Sequence, residues 1–177
     1  EEIACCVVKH STPCGVAVRT TAVETYKKTF ECDPVSIFGG IIGMNFKVDS
    51  ATAEELNKTF LEIVMAPDFE DEALEILRKK KNLRIIKIKN PVSDQQTWVK
   101  VDGGILVQDN DNIFSEKIET VTVFKPSQKQ EKALLFAQRV VKYVKSNAIV
   151  VSNGYQALGI GGGQVNRIWA TEHAVER

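Results

Sequence analysis

The chain has 177 residues, of which 44% are hydrophobic and 26% charged, which fits one ordinary globular domain and excludes a mostly disordered chain. Lys plus Arg and Asp plus Glu number 23 each, for a net charge of 0. Global attraction to nucleic acid or to an anionic membrane is therefore not expected.

No apolar run reaches the roughly 18 residues of a membrane-spanning helix. The opening Glu1-Glu2-Ile3 has neither the basic start nor the long apolar stretch of a signal peptide, and no initiator Met. The chain is expected to begin inside a longer polypeptide or after processing. Cysteines stand at 5, 6, 14 and 32 without a C-x-x-C spacing. This predicts reduced thiols in a cytoplasmic protein.

In chain order, the continuous apolar run Ile3 to Val8 predicts a strand buried on both faces, as in a parallel sheet. Lys9 to Gly15 reads as a polar turn. Thr21 to about Cys32 reads as a helix opened by a Thr21/Glu24 capping box and stopped by Asp33-Pro34. Val35 to Met44 carries three glycines and reads as strand, glycine turn, strand. Ser50 to about Lys58 is a short helix, and Leu61 to Met65 a strand ended by Pro67. Asp68 to Lys81 is a helix with acids first and bases last, complementing the helix dipole. Leu83 to Ile88 is a strand. Trp98 to Gln108 reads as two strands or a bulge around Asp102-Gly103-Gly104, and 109–120 as a surface loop. Ser127 and Gln130 form a capping box for the longest helix. Ala148 to Val151 is a strand followed by the turn pair Asn153-Gly154. Leu158 to Gly163 reads as a glycine-rich loop into a final helix starting near Gln164 to Arg167. Strands alternate with helices, so the predicted class is α/β, in one region spanning 1–177.

Five segments could carry chemistry. Lys9-His10 follows a buried strand, where α/β sheets place ligand sites. An imidazole takes a proton near neutral pH, and an adjacent ammonium stabilises developing negative charge. The alternative is a solvated turn. Ser36 to Gly40 offers exposed backbone and a stacking ring in Phe38, or else a bulge in the core. Asn147, between a long helix and a strand, can read a carboxamide or cap the helix. The run Gly159 to Gly163, with Gln164 and Arg167, can expose N–H groups to an anion. It matches neither a P-loop nor a dinucleotide fingerprint. The basic run Arg78 to Lys89 is read as a solvated face. A zinc site is not expected, since the deaminase spacing H-x-E with P-C-x-x-C is absent.

Taken in order, Lys9-His10-x-x-Pro13-Cys14-Gly15, Asp33-Pro34-x-Ser36-x-Phe38-Gly39-Gly40, Ala66-Pro67, Gly103-Gly104-x-Leu106-Val107-Gln108-Asp109, Lys145-Ser146-Asn147-Ala148 and Gly159-Ile160-Gly161-x-Gly163-Gln164-x-x-Arg167 resemble the transformylase part of the AICAR transformylase/IMP cyclohydrolase family. AICAR is aminoimidazole carboxamide ribonucleotide. The resemblance implies a cytidine-deaminase-like layered sheet with helices on both faces and no zinc. It implies formyl transfer from 10-formyltetrahydrofolate to the 5-amino group of AICAR in purine biosynthesis. It assigns His10 as the proton acceptor and Lys9 as the transition-state cation, with Asn147 beside them. Substrate contacts fall on His10, Phe38, Gly39, Glu62 and Asn147, and folate contacts on Arg167 and Ile168. It also implies a homodimer with a shared site and leaves room for a monovalent cation. The family's cyclohydrolase domain and C-terminal segment are expected to lie outside this fragment, which is expected to be inactive alone. The alternatives are a zinc nucleoside deaminase and a nucleotide-binding or assembly module without turnover.

Overall fold

Strands β1 (Ile3–Lys9) and β2 (Thr12–Arg19) are joined by His10 and Ser11 alone. Both turn residues adopt left-handed backbone angles, φ 51° and 64°, the geometry by which a two-residue turn matches the twist of its strands. Pro13, Cys14 and Gly15 are therefore strand residues, and the polar turn expected over Lys9 to Gly15 shrinks to its first part. The structure is a computed structural model and describes residues 2–89, 95–114 and 119–176.

The central sheet adds β3 (Gly40–Met44), β4 (Leu61–Ala66) and β5 (Arg84–Lys87), in the order β2-β1-β3-β4-β5. β3, β4 and β5 run parallel, whereas β1 is antiparallel to both of its neighbours. The expectation of a fully buried parallel β1 is corrected accordingly. Cys5 and Val7 are buried, but Ala4, Cys6 and Val8 border an open groove.

Helices α1 (Ala22–Phe30), α2 (Ser50–Asn57) and α3 (Asp71–Arg78) pack in a row. Between them and the sheet lies the core, with Val7, Ile42, Leu56, Val64 and Leu77 fully buried. Each such side chain contributes roughly 1.5–3 kcal/mol by leaving water. The inner face of α1 is partly polar. Thr25 and Thr29 are fully buried because their hydroxyls donate to Thr21 O at 2.7 Å and Thr25 O at 2.8 Å. The expected Thr21/Glu24 capping box does not form; Glu24 faces Arg19 instead, at 3.7 Å.

Two expected elements shorten for local reasons. The first strand expected within Val35 to Met44 is a turn: Asp33 Oδ1 accepts the Ser36 N–H at 2.9 Å, and Ile37 N–H returns to Asp33 O at 3.2 Å. Helix α3 starts at Asp71 and not at Asp68. Residues 68–70 are held extended because Val48 N–H donates to Asp68 O at 3.0 Å and Glu70 N–H to Val48 O at 2.9 Å.

Strands β6 (Gln96–Val101) and β7 (Gly104–Asp109) form a hairpin whose residues are all exposed, one of the two readings of that segment. Of the loop expected over 109–120, residues 115–118 lie outside the described residues. Helix α4 (Gln128–Val141) has the complete Ser127/Gln130 capping box. It faces the outer side of β1 and β2 across a groove of about 970 Å³. Strands β8 (Ile149–Ser152) and β9 (Ala157–Gly161) form a second hairpin, covered by α5 (Arg167–Val175). The α/β class read from the sequence is the class observed. Among the described residues no helix is long and apolar enough to cross a membrane.

The glycine-rich loop expected over Leu158 to Gly163 is largely strand β9. Its glycines answer to packing: a Cβ on Gly159 would overlap the backbone of Ala174, and one on Gly161 the carbonyl of Ala170. Replacing Gly159 by Ala must push α5 off the strand, and overpacking of this kind costs about 1–3 kcal/mol. A urea melt of Gly159→Ala is expected to show that loss, while Lys129→Ala, on the first turn of α4, stays within about 0.5 kcal/mol of the parent.

Candidate functional site

A cavity of about 330 Å³ opens where two strands part. β2 meets the residues leading into β9 through the bridge of Ala17 to Gln156, the bond from Val18 N–H to Tyr155 O at 2.7 Å, and Arg19, which donates to Tyr155 O at 3.0 Å and to Gln156 Oε1 at 3.3 Å. Beyond that point the strand edges face each other across the cavity. Thr12, Pro13 and Cys14 line one side, and Ala157 with residues 159–162 the other. Pro13 has no N–H with which to continue a ladder.

The Cys32 thiol sits at the closed end of this seam. Its Sγ lies 3.5 Å from Val16 O and 3.3 Å from Lys28 O, with the Gln156 side chain and the Ala157 backbone also bonded to it. Burial raises its pKa. Cys14 shares the cavity wall and is pushed up to about 11, first by burial and then by the nearby Asp33 carboxylate. Both thiols are neutral at physiological pH, so neither is an activated nucleophile.

Lys9 and His10 stand at the cavity rim, placed there by the hairpin turn. Lys9 Nζ donates to Phe38 O at 2.8 Å. That bond ties the hairpin to the glycine turn, where Gly39 has φ 72° and donates its N–H to Phe60 O at 2.8 Å. Phe38 is 60% exposed, with its ring 5.2 Å from that of Phe60. Of the segment Ser36 to Gly40, residues 36–39 form a turn, while the bulge reading holds at Gly40, where the pairing of β3 with β4 shifts register before Ile41.

Asn147 is not the cap of α4, whose C-cap is Lys142. Its backbone N–H and its Nδ2 both donate to Gln164 O, at 3.0 Å each, and Gln164 N–H returns to Asn147 O at 3.3 Å. Gln164 itself lines the cavity. The structure thus brings Lys9, His10 and, through Gln164, Asn147 to one place.

Other candidates lie apart from the cavity lining. Glu62 is on β4 and pairs with Arg84 at 2.9 Å. Arg167 and Ile168 open α5 and are exposed. The basic run finds local partners: Lys80 donates to Thr59 O at 2.6 Å and Lys87 pairs with Asp68. Among the described residues no three His, Cys, Asp or Glu gather as a metal-binding group.

Ser36 and Gln164, each in a segment singled out from the sequence, line the cavity, whereas sequence reasoning missed Cys14, Asp33 and His173 as cavity walls. Asp33-Pro34-x-Ser36 carried a signal, since an Asp two or three residues before a turn N–H caps it. His173 carried none, because only the fold brings α5 beside the hairpin.

The thiols give a pH test. A thiol whose folded pKa is raised contributes stability that is complete below its ordinary value and is lost as pH rises toward the folded value. For Cys6, pushed up to about 12 mainly by burial, and for Cys14, the window runs from about pH 9 upward. Thermal melts from pH 7 to 11 are expected to fall less steeply above pH 9 for Cys14→Ala than for the parent. Parallel curves would show that these thiols do not carry the alkaline loss.

A family model described as AICARFT/IMPCHase bienzyme matches residues 1–177. The bifunctional purine biosynthesis protein PurH of Fusobacterium nucleatum subsp. nucleatum is 59% identical over all of this chain, which covers 35% of that protein. The protein of the same name from Clostridium botulinum (strain Kyoto / Type A2) is 57% identical over all of the chain, covering 36% of it. The chain thus spans about one third of the length of the relatives it matches. The crystal structure of a dCMP deaminase from the cyanophage S-TIM5, in apo form, aligns with a TM-score of 0.40 and 12% identity, over 49% of this chain and 79% of that one.

Proposed function

The chain belongs to the AICARFT/IMPCHase bienzyme family, and we propose that it contributes the formyl-transfer site of a purine-biosynthesis enzyme. The substrates are AICAR and 10-formyltetrahydrofolate. The observation that carries this reading is the hairpin turn that sets Lys9 and His10 side by side on the rim of a cavity whose far wall, Gln164, fixes Asn147.

The chemistry follows from those groups. The AICAR amine attacks the formyl carbon and loses a proton, the bond from that carbon to the folate nitrogen breaks, and that nitrogen takes up a proton as it leaves as tetrahydrofolate. The amine is a weak nucleophile because the ring and the carboxamide draw on its electrons. His10 takes its proton, a contribution of roughly 10²–10⁴-fold. Lys9 spends one N–H on Phe38 O and keeps two for the oxyanion that forms on the formyl group. Asn147 holds the carboxamide, so that the amine faces the donor. Phe38 and Gly39 supply a ring face and a bare backbone for the heterocycle, with Glu62 as a further substrate contact. Arg167 and Ile168, at the start of α5, meet the folate. A homodimer sharing this site and a cytoplasmic location belong to the same reading.

His10→Ala in the full-length polypeptide is expected to lower formyl transfer by about 10²-fold or more. Activity within a few-fold of the parent would remove His10 as the base.

A further inference from the structure

Gln164 enters the scheme above only through its backbone, although the residue lines the same cavity as Lys9 and His10. We propose that the Gln164 side chain is a specificity residue. Its Oε1 accepts an N–H of the substrate carboxamide, so that the site takes the amide and rejects a carboxylate of the same shape. The proposal rests on the formyl-transfer reading for the identity of the substrate and names what this wall reads in it.

Hydrogen bonds within the wall decide which end of each amide a ligand meets. Gln164 Nε2 donates to Gly162 O at 3.2 Å, and Gly162 lines the same cavity. Oε1 has no partner among the described residues and is not sealed from solvent. Turning this amide over would set Oε1 against Gly162 O, two acceptors with no proton between them. Asn147 is held in the same sense. Its Nδ2 donates to Gln164 O at 3.0 Å, which leaves Oδ1 as the open end. Two neighbouring amides thus spend N–H groups on backbone carbonyls and keep their oxygens.

The backbone points the same way. Gln164 N–H, which a glycine run could have offered to an anion, is spent on Asn147 O at 3.3 Å, and Gly163 N–H on Lys145 O at 2.5 Å. This part of the wall therefore suits a group that donates. A primary carboxamide carries two N–H donors and a carboxylate none. Asp33, the carboxylate of the lining, opposes an anion and not a neutral amide. Lys9 and His10 stay with the formyl oxygen and the reacting amine, so no group is asked to serve twice. A site built to bond a substrate N–H rejects the analogue that lacks it, because its own acceptor is then left unpaired.

The test uses the full-length polypeptide. AICAR, and its analogue with a carboxylate in place of the carboxamide, are titrated calorimetrically without folate into the parent, Gln164→Met and Gln164→Glu. The parent is expected to prefer AICAR. Gln164→Met, of similar length but without an amide, is expected to lower that preference about ten-fold or more. Gln164→Glu keeps an acceptor oxygen and is expected to retain it. A merely structural role would weaken both ligands equally, so an unchanged preference in Gln164→Met overturns the proposal. Loss of the preference in Gln164→Glu overturns it too, and decides the matter should the Met variant fail to fold. Formyl transfer by the parent is assayed separately. A parent that transfers the formyl group without preferring AICAR overturns this proposal and keeps the formyl-transfer reading. A parent with the Gln164-dependent preference and no formyl transfer does the reverse.

Discussion

One buried amide joins the two halves of this molecule where the cavity begins. Gln156 donates through Nε2 to Lys28 O at 2.9 Å and accepts at Oε1 from Arg19 Nη2 at 3.3 Å. Its backbone bridges to Ala17. Both ends of the side chain are satisfied, as a buried amide requires; a lost partner would leave a penalty of about 1–3 kcal/mol. Together with the bonds from Val18 N–H and Arg19 Nη1 to Tyr155 O, this junction ties the central sheet to the far side of the site: β9, the Gln164 clamp on Asn147, and α5. The near side, with Lys9 and His10, belongs to the central sheet. The site is therefore assembled across a join and not within one element.

The join also explains why there is a cavity at all. A complete ladder between β2 and β9 would close the gap. Pairing stops after Ala17, Pro13 offers no donor, and the Cys32 sulfur occupies the first open step. Past that step the strand edges turn their polar groups toward whatever enters. The fold makes its recess by ending a sheet early, without the long loop that a lid or flap would need.

Much of this was legible in the sequence, and the failures have identifiable causes. The Ser127/Gln130 cap, the Asn153-Gly154 hairpin and the α/β alternation depend on local chemistry and were read correctly. The start of α3 was misplaced because its first residues pair with Val48, a contact no window of neighbouring residues contains. The glycines of β9 read as a loop in the sequence, since composition cannot distinguish a backbone bared for a ligand from one bared for a helix. Thr21 and Glu24 had the spacing of a cap, but Arg19 competes for the acid. At the site, Lys9-His10 stood out through its position after an apolar run. His173 could not, since nothing local marks a residue whose neighbours come from the other end of the chain.

With His10 as the base proposed above, the left-handed angles at His10 and Ser11 set that role against folding at one position. Glycine, asparagine and aspartate are the residues such a turn favours, and a side chain like histidine holds this conformation at a cost of order 1–3 kcal/mol. The hairpin would close more readily with glycine in place of His10. Optimising this protein for heat resistance alone would thus favour replacing His10, as it would Ser11. A library sorted by melting temperature would drift toward a sturdier and chemically silent hairpin, so any such selection needs a functional readout beside it.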